Sequence, residues 1–253
     1  MMESLDWLKF TPLDWISCIV FFVCWVGYTR YSISHGLSKV NLSSALHQQR
    51  YYWMLNALSK PRIGSSSDIL SISMFERSVA FFASTSILIL AGLLTVLGSS
   101  DKVATVLASV HFANDVETAK IQVKILLLIL IFIHAFFKFG WSMRCYGFVA
   151  TMLAAAPIGL DQQSDQAKDW ANRTARIISN ASKQFNLGLR AYYFALAILA
   201  WFIHPLLFIL ASLSVVVVLY RRDFKSYALE LLQSQNSAIK QQEESTMPNH
   251  VKD

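Results

Sequence analysis

The sequence predicts an all-α protein, a polytopic membrane helix bundle with four spans and amphipathic connecting helices. Of its 253 residues, 55% are hydrophobic and only 15% are charged, whereas soluble domains carry about 25% charged residues. Four stretches are apolar over the roughly 20 residues that a helix needs to cross a bilayer. The segments between them repeat apolar residues at helical spacing, so we expect helices there as well.

The predicted spans cover residues 13–31, 74–97, 121–143 and 191–220 of a membrane bundle that extends over residues 1–231. Before the first apolar run the chain has Glu3, Asp6 and Lys9, and no small-residue cleavage site follows that run. A secretory leader would begin with a basic region and end at such a site. We therefore expect the first run to remain in the mature protein as a span.

The third apolar segment is longer than one crossing requires. Asn114 followed by Glu117 matches a capping box, and Pro157 is the residue that would stop the helix. A helix over about 115–156 would be about 60 Å long at 1.5 Å per residue, roughly twice the thickness of the hydrocarbon core. One end is therefore predicted to project into water or to lie along the interface.

The fourth segment is also long and has Pro205 near its middle. A proline inside a spanning helix usually kinks it, so we favour a single kinked span. The alternative is a pair of short half-helices that returns the chain to the side from which it started. Two complete spans would need about 40 residues, which is more than this segment offers.

Three connecting segments are predicted to be amphipathic helices, namely residues 42–57, 100–110 and 164–185. Their spacing fits a helix on the membrane surface and a helix packed on the bundle equally well. Residues 232–253 are polar and cannot bury enough apolar surface to order themselves. They are predicted to form a frayed helix end followed by a disordered C-terminal tail.

The net charge is +6, and the distribution of the basic residues among the loops indicates which loops face the cytoplasm. Lysine and arginine concentrate in the first and third loops, and the positive-inside rule then places the N-terminus outside a bacterial inner membrane. With four spans the C-terminus is also outside. Arg221, Arg222 and Lys225 follow the fourth span and prefer the cytoplasm, which favours the half-helix alternative.

Several charged or titratable residues are predicted to lie at membrane depth, where charges are usually paired, snorkelled or functional. One interpretation is a site for an anion or a lipid headgroup, or a charged pore mouth. The other is snorkelling together with a structural pair between Glu76 and a basic residue, which we favour for Arg30 and Arg190. The candidate residues are Glu76, Arg77, His134, Lys138, Arg144, Arg190 and His204.

Two of these candidates have specific alternatives. His134 lies one helical turn before Lys138, so both fall on one face that could line a polar cavity, although Lys138 can also reach the interface. His204 precedes Pro205 and either satisfies a backbone carbonyl freed by the proline or titrates on a permeation path. We favour the structural role. Asp14 is predicted to cap the first span at the outer face.

The sequence favours a protein that is not an enzyme. Cys18, Cys24 and Cys145 match neither a disulfide framework nor a zinc site. The chain has no phosphate-binding glycine loop, nucleophile elbow or metalloprotease motif. We therefore expect no cofactor, no metal and no nucleic-acid partner.

Several sequence blocks resemble a family of bacterial and plant integral membrane proteins, the domain-of-unknown-function family 599. The resemblance covers the chain up to about Ser226 and implies a membrane protein of unassigned activity. The blocks are Thr11 to Trp15, Phe81 to Leu88 with Ala91 to Leu93, Phe136 to Phe139 with Trp141 to Arg144 and Tyr146, and Phe185 to Phe194 with Trp201, His204 and Pro205.

Two functional hypotheses follow. The first is an oligomeric channel or small-solute pathway, since four spans enclose little space and a pore would need several subunits. Small residues in the second span, such as Ala83, Ser84 and Gly92, allow close approach of helices. The alternative is an assembly or scaffold protein that docks a partner through cytoplasmic amphipathic helices. The expected partners are the bilayer, further copies of the chain, and an anionic lipid or a small anion.

Overall fold

The computed structural model describes residues 10–34, 42–58, 66–108, 118–157 and 160–246, and the regular structure within them is entirely helical. This confirms the predicted all-α fold class. The helices are α1 (Pro12–Ser34), α2 (Leu42–Leu58), α3 (Ser66–Gly98), α4 (Ser100–Ala108), α5 (Thr118–Ala154), α6 (Asp165–Trp201), α7 (Pro205–Phe224) and α8 (Tyr227–Thr246).

Four helical segments are long and apolar enough to cross a membrane: Pro12–Ser34, Ser67–Gly98, Thr118–Ala154 and Pro205–Ser237. The first three contain the predicted spans. Large apolar side chains such as Val23, Phe81, Leu88, Phe137 and Leu210 are exposed on them. An apolar exterior of this kind is what a bilayer requires.

The long helices pack side by side, and each is antiparallel to the helix that precedes it in the bundle. Phe75 of α3 contacts Tyr146 of α5, and Phe82 of α3 contacts Phe139 of α5. The two helices therefore run in opposite directions. Lys124 of α5 meets Trp201 near one end of α6, and Ser142 of α5 donates to the carbonyl of Ala181 further along it.

The bundle therefore has two distinct ends. At one of them Ser32 of α1, Arg190 of α6 and Asp223 of α7 meet, and we call this the basic end. At the other, which we call the opposite end, Asp14 of α1 accepts a hydrogen bond from the indole of Trp201.

The helices α5 and α6 have 37 residues each, about 55 Å at 1.5 Å per residue. Both continue past the basic end, which confirms that the third apolar segment belongs to an overlong helix. The predicted cap at Asn114 lies outside the described residues. The projecting part of α6 carries α2 on its surface, so the first predicted connecting helix packs on protein.

The predicted fourth span at residues 191–220 is wrong as a single kinked helix. Helix α6 runs without interruption from the predicted amphipathic segment to Trp201, and a three-residue break follows before Pro205 opens α7. Trp201 stacks on Phe208, and Arg190 pairs with Asp223. The two helices are therefore antiparallel, and α7 returns to the basic end as the half-helix alternative required.

This reversal also corrects the expected position of the two chain ends. Helix α1 begins at the opposite end, whereas α7 finishes at the basic end, so the described helices start and finish at opposite ends of the bundle. Residues 232–246, where the sequence predicts a frayed helix end before the tail, form most of α8. Asn236 of α8 is buried against α2. Residues 247–253 lie outside the described residues.

Helix capping uses residues close together in the sequence. The amide and hydroxyl of Thr11 donate to the Asp14 carboxylate, and the Asp14 amide donates back to the Thr11 hydroxyl. This reciprocal arrangement is a capping box in which Thr11 is the N-cap residue and Asp14 is its partner in the first turn. Asp14 therefore takes part in capping the first span, but not as the N-cap residue that the sequence predicted. Ser164 caps α6 by accepting from the amide of Ala167.

Aromatic side chains fill the interior of the bundle. Phe21, Phe194, Phe208 and Trp201 contact one another between α1, α6 and α7. Gly188 lies directly against the ring of Phe139 where α5 and α6 come closest. These side chains fill the space between the helices of one chain.

Candidate functional site

A polar pocket of about 460 Å³ opens at the basic end. It lies between the last turn of α1, the first half of α2, the middle of α6 and the end of α7. Because α2 is held against the projecting part of α6, it forms one wall of the pocket. We call this cavity the basic pocket.

A buried ion pair forms the floor of the basic pocket. The guanidinium of Arg190 donates to Asp223 Oδ2 at 2.7 Å and to the hydroxyl of Ser32 at 2.7 Å. The same carboxylate accepts from Tyr28 at 2.8 Å and from Arg222 at 3.3 Å. One acid thus serves two arginines and a tyrosine.

Arg190 keeps one donor without an acceptor. Its side chain is 9% exposed, it lies over the ring of Tyr28, and its Nε is buried with no hydrogen-bond partner. A buried donor without an acceptor costs free energy.

The wall formed by α2 contributes Arg50 and His47. Arg50 donates to the hydroxyls of Ser179 and Ser182 at 3.2 and 2.8 Å, and within the described residues it pairs with no carboxylate. Burial lowers the pKa of Arg50, because a desolvated cation without a counter-ion is disfavoured. His47 Nδ1 lies 2.9 Å from the Ser179 hydroxyl. Burial, followed by the nearby cations Arg50 and Arg176, lowers the pKa of His47.

The basic pocket carries an excess of positive charge. Arg50, Lys183, Arg190 and Arg222 line it, and Asp223 is the one carboxylate among the described residues of its lining. With His47 neutral the formal balance is four positive charges against one negative charge, or +3. Such a cavity attracts anions and offers them many donors.

Of the seven predicted site residues, Arg190 is the one that lines the basic pocket. The structure does not bring the rest together there. Arg77 and Arg144 are exposed, and within the described part of the chain Glu76 forms no salt bridge. Arg190 is paired with Asp223 instead of Glu76.

His134 and Lys138 do share a face of α5, as predicted, but that face points away from the basic pocket. His134 is exposed and meets the edge of Trp25, with ring centroids 5.7 Å apart. His204 caps α7, since its Nδ1 accepts from the amide of Leu206 at 3.1 Å. The favoured structural role for His204 is thus confirmed, although its partner is an amide instead of a carbonyl.

The opposite end has a charged contact that the sequence did not reveal. Lys124 donates to the carbonyl of Trp201 at 2.8 Å and lies over the rings of Trp201 and Phe202. Carbonyls at a helix C-terminus favour cations. This contact holds α5 against the C-terminal end of α6, and we assign Lys124 a structural role.

Sequence reasoning missed most of the basic pocket. Its key members come from four distant segments, so no local spacing connects them. One signal was present in the run Arg221-Arg222-Asp223, where an acid follows two arginines at a helix end. The positive-inside argument gave that acid no weight.

Comparisons with known proteins identify a family but no activity. The family model described as "Protein of unknown function, DUF599" matches residues 16–228. This range contains every described residue named above for the basic pocket. No curated protein and no solved structure matches the chain.

Proposed function

The chain belongs to the DUF599 family, and we propose that it is a multi-pass membrane protein that binds an anion on the cytoplasmic side. The observation that carries the proposal is the basic pocket, with a formal charge of +3 and a buried arginine donor that has no acceptor. Binding of an anion would offset the excess positive charge and neutralise Arg50, which has no counter-ion within the described residues.

The distribution of charge supports a cytoplasmic location for the basic end. Described lysines and arginines concentrate there, whereas Lys102, Lys120 and Lys124 lie toward the opposite end. Under the positive-inside rule the basic end faces the cytoplasm and the N-terminus lies outside. Arg221, Arg222 and Lys225 then lie inside, which removes the conflict in the sequence-based topology.

The dimensions of the bundle fit this orientation. Asp14 and Ser32 are 18 residues apart on α1 (32 minus 14), a rise of about 27 Å, close to the hydrocarbon thickness of about 30 Å. Helix α6 contacts α1 at both levels, so its second half crosses together with α1 and α7. This fifth passage is polar for a span, but its Arg190, Phe194 and Trp201 are buried inside the bundle instead of facing lipid.

Binding is tested on the purified full chain by calorimetric titration with sodium sulfate at constant ionic strength. We expect saturable binding and use Lys183→Gln to locate it, since Lys183 is exposed and its removal should not disturb folding. Removal of a unit charge about 4 Å from a dianion in a wet site costs about 2 kcal/mol, a loss of about thirtyfold in affinity.

Lys168→Gln is the matched control, since Lys168 is exposed on the same helix and does not line the basic pocket. It should leave the affinity unchanged. The absence of saturable binding of sulfate, phosphate, chloride and acetate, or equal effects of the two lysine variants, would contradict the proposal.

A second candidate function, an oligomeric solute pathway, draws on the exposed face of α5. His134 and Lys138 lie one turn apart on it, and polar groups at membrane depth usually face protein or water. Further copies of the chain would cover this face, and the pathway would run between copies because aromatic rings fill the interior of each one. Flux through liposomes that contain the protein tests this idea. No flux would exclude the pathway, and flux unchanged by combined His134→Ala and Lys138→Ala would exclude this face.

A further inference from the structure

We propose that the anion bound in the basic pocket is a phosphoryl group carried by an organic molecule, that is, a phosphate monoester. This inference rests on the proposed anion-binding function and specifies its ligand class. It is carried by three features of the pocket: a helix N-terminus, an unusual number of donors and an apolar section of the wall.

The first feature is the start of α2. Leu42 and Ser43, which form its first turn, line the basic pocket. Amides in the first turn of a helix have no intrahelical acceptor, and the helix dipole places partial positive charge there. Phosphate groups bind at such termini. Here the first turn lines the same cavity as Arg50 and Arg190.

The second feature is the set of donors. Ser179 and Ser182 accept from Arg50 through their oxygens, and Ser179 also contacts His47 Nδ1. The Ser182 hydroxyl can still donate its hydrogen to a ligand. Lys183 adds an exposed charged donor to the lining. A phosphoryl group presents three strong acceptor oxygens and carries about −1.5 to −2 charges near neutral pH. It therefore uses these donors and neutralises the excess charge better than a halide or a carboxylate does.

The third feature is room for more than the phosphate. The volume of about 460 Å³ lies within the usual range for pockets that hold small organic ligands. Ile33, Leu42, Leu46 and Leu187 contribute apolar lining beside the donors. A lining that combines basic and apolar side chains fits a phosphate ester. The ester could be a soluble metabolite or an anionic lipid of the inner leaflet, because both present the same group.

The test is a series of separate titrations of the full chain at pH 8, where a phosphate monoester is a dianion. The probes are inorganic phosphate, glycerol 3-phosphate, acetate and chloride, titrated by calorimetry at constant ionic strength. We expect both phosphates to bind at least about tenfold more tightly than acetate or chloride. Lys183→Gln should weaken phosphate more than acetate, and Lys168→Gln should change neither.

Two arms distinguish the source of the phosphate. In one, nanodiscs of phosphatidylcholine contain 10 mol% phosphatidic acid (on the order of a few lipids per disc), and in the other, glycerol 3-phosphate is added to nanodiscs of pure phosphatidylcholine. Protection of the protein against thermal unfolding in the first arm identifies a lipid, and protection in the second identifies a soluble ester.

The failures are distinguishable. Binding of acetate or chloride as tightly as of phosphate would overturn the phosphoryl assignment and leave the anion site intact. If none of the four anions binds, the proposed function itself is overturned. Protection in neither nanodisc arm, with inorganic phosphate still bound, would overturn the assignment of an organic ester.

Discussion

Replacement of Gly188 by alanine tests the closest helix contact in the bundle. A methyl group at this position would meet Phe139 Cζ at 2.7 Å and Cδ1 at 2.8 Å, and the Phe139 ring is fully buried. Alanine in a helix is otherwise better than glycine by about 1 kcal/mol. Overpacking a filled core costs about 1–3 kcal/mol. The net expectation is a destabilisation of up to about 2 kcal/mol.

Gly140→Ala is the control. Gly140 is adjacent to Phe139 in α5, and an added methyl group there meets nothing within 4 Å. It should gain the helix-propensity term without the clash, so the two variants should differ by about 1–3 kcal/mol. A change of 1 kcal/mol shifts Tm by about 2–4 °C for a chain of this size, so the difference is measurable.

The assay is thermal unfolding of both variants in the same detergent, followed by far-UV circular dichroism. The midpoint should fall, or at best stay level, for Gly188→Ala and rise for Gly140→Ala. Truncation of Phe139 to leucine should cost less in the Gly188→Ala background than in the wild type, because the smaller side chain makes room for the methyl group. If Gly188→Ala is as stable as Gly140→Ala, the described contact between α5 and α6 is refuted.

Three further predictions concern the basic end. Asp223→Asn leaves the buried Arg190 without its counter-ion and should lower the free energy of unfolding by about 3–5 kcal/mol. Asp169→Asn breaks an exposed pair and should lower it by at most about 1 kcal/mol. Equal losses in thermal stability would contradict the network around Arg190. Burial and two neighbouring arginines hold the pKa of His47 below 6.5 in the folded state, so the unfolded chain takes up the proton first on acidification. Stability is therefore present above about pH 6.5 and lost as the pH falls below it, and His47→Gln should flatten that decline; an unchanged pH profile would count against the described environment. Asn236→Leu removes the buried side-chain amide that joins α8 to α2 and should lower the free energy of unfolding by about 1–3 kcal/mol. If α8 in this variant resists protease as well as in the wild type, the contact does not hold α8 against α2.

The membrane-spanning helices were predictable because a bilayer imposes a simple requirement on composition and length. The first three spans appear in the sequence as apolar runs and in the structure as α1, α3 and α5. The participation of Asp14 in a cap was also predictable, since the capping box depends on residues three positions apart.

The fourth segment was not predictable because its outcome depends on tertiary contacts. Pro205 correctly marked a break, but proline alone does not determine whether the chain bends or reverses. The stacking of Trp201 on Phe208 and the pairing of Arg190 with Asp223 favour the reversal. The sequence analysis also began the fourth span at residue 191, whereas α6 runs without interruption from Asp165 to Trp201.

The basic pocket was the least predictable feature. Arg190 was recognised as a charge at membrane depth, but its partners Ser32 and Asp223 lie 158 and 33 residues away in the chain. Arg50 reaches the pocket through a helix whose position depends on hydroxyls of α6. Only the folded arrangement shows that these charges share one cavity.

The most direct test of the anion site is crystallographic. Crystals of the full chain soaked in selenate, a tetrahedral dianion that scatters anomalously, should show a selenium peak within hydrogen-bond reach of Arg50 and Lys183, in front of the first turn of α2. The peak should weaken in Lys183→Gln crystals and persist in Lys168→Gln crystals. A basic pocket without a selenium peak, in crystals that diffract well and bind selenate elsewhere, would contradict the account.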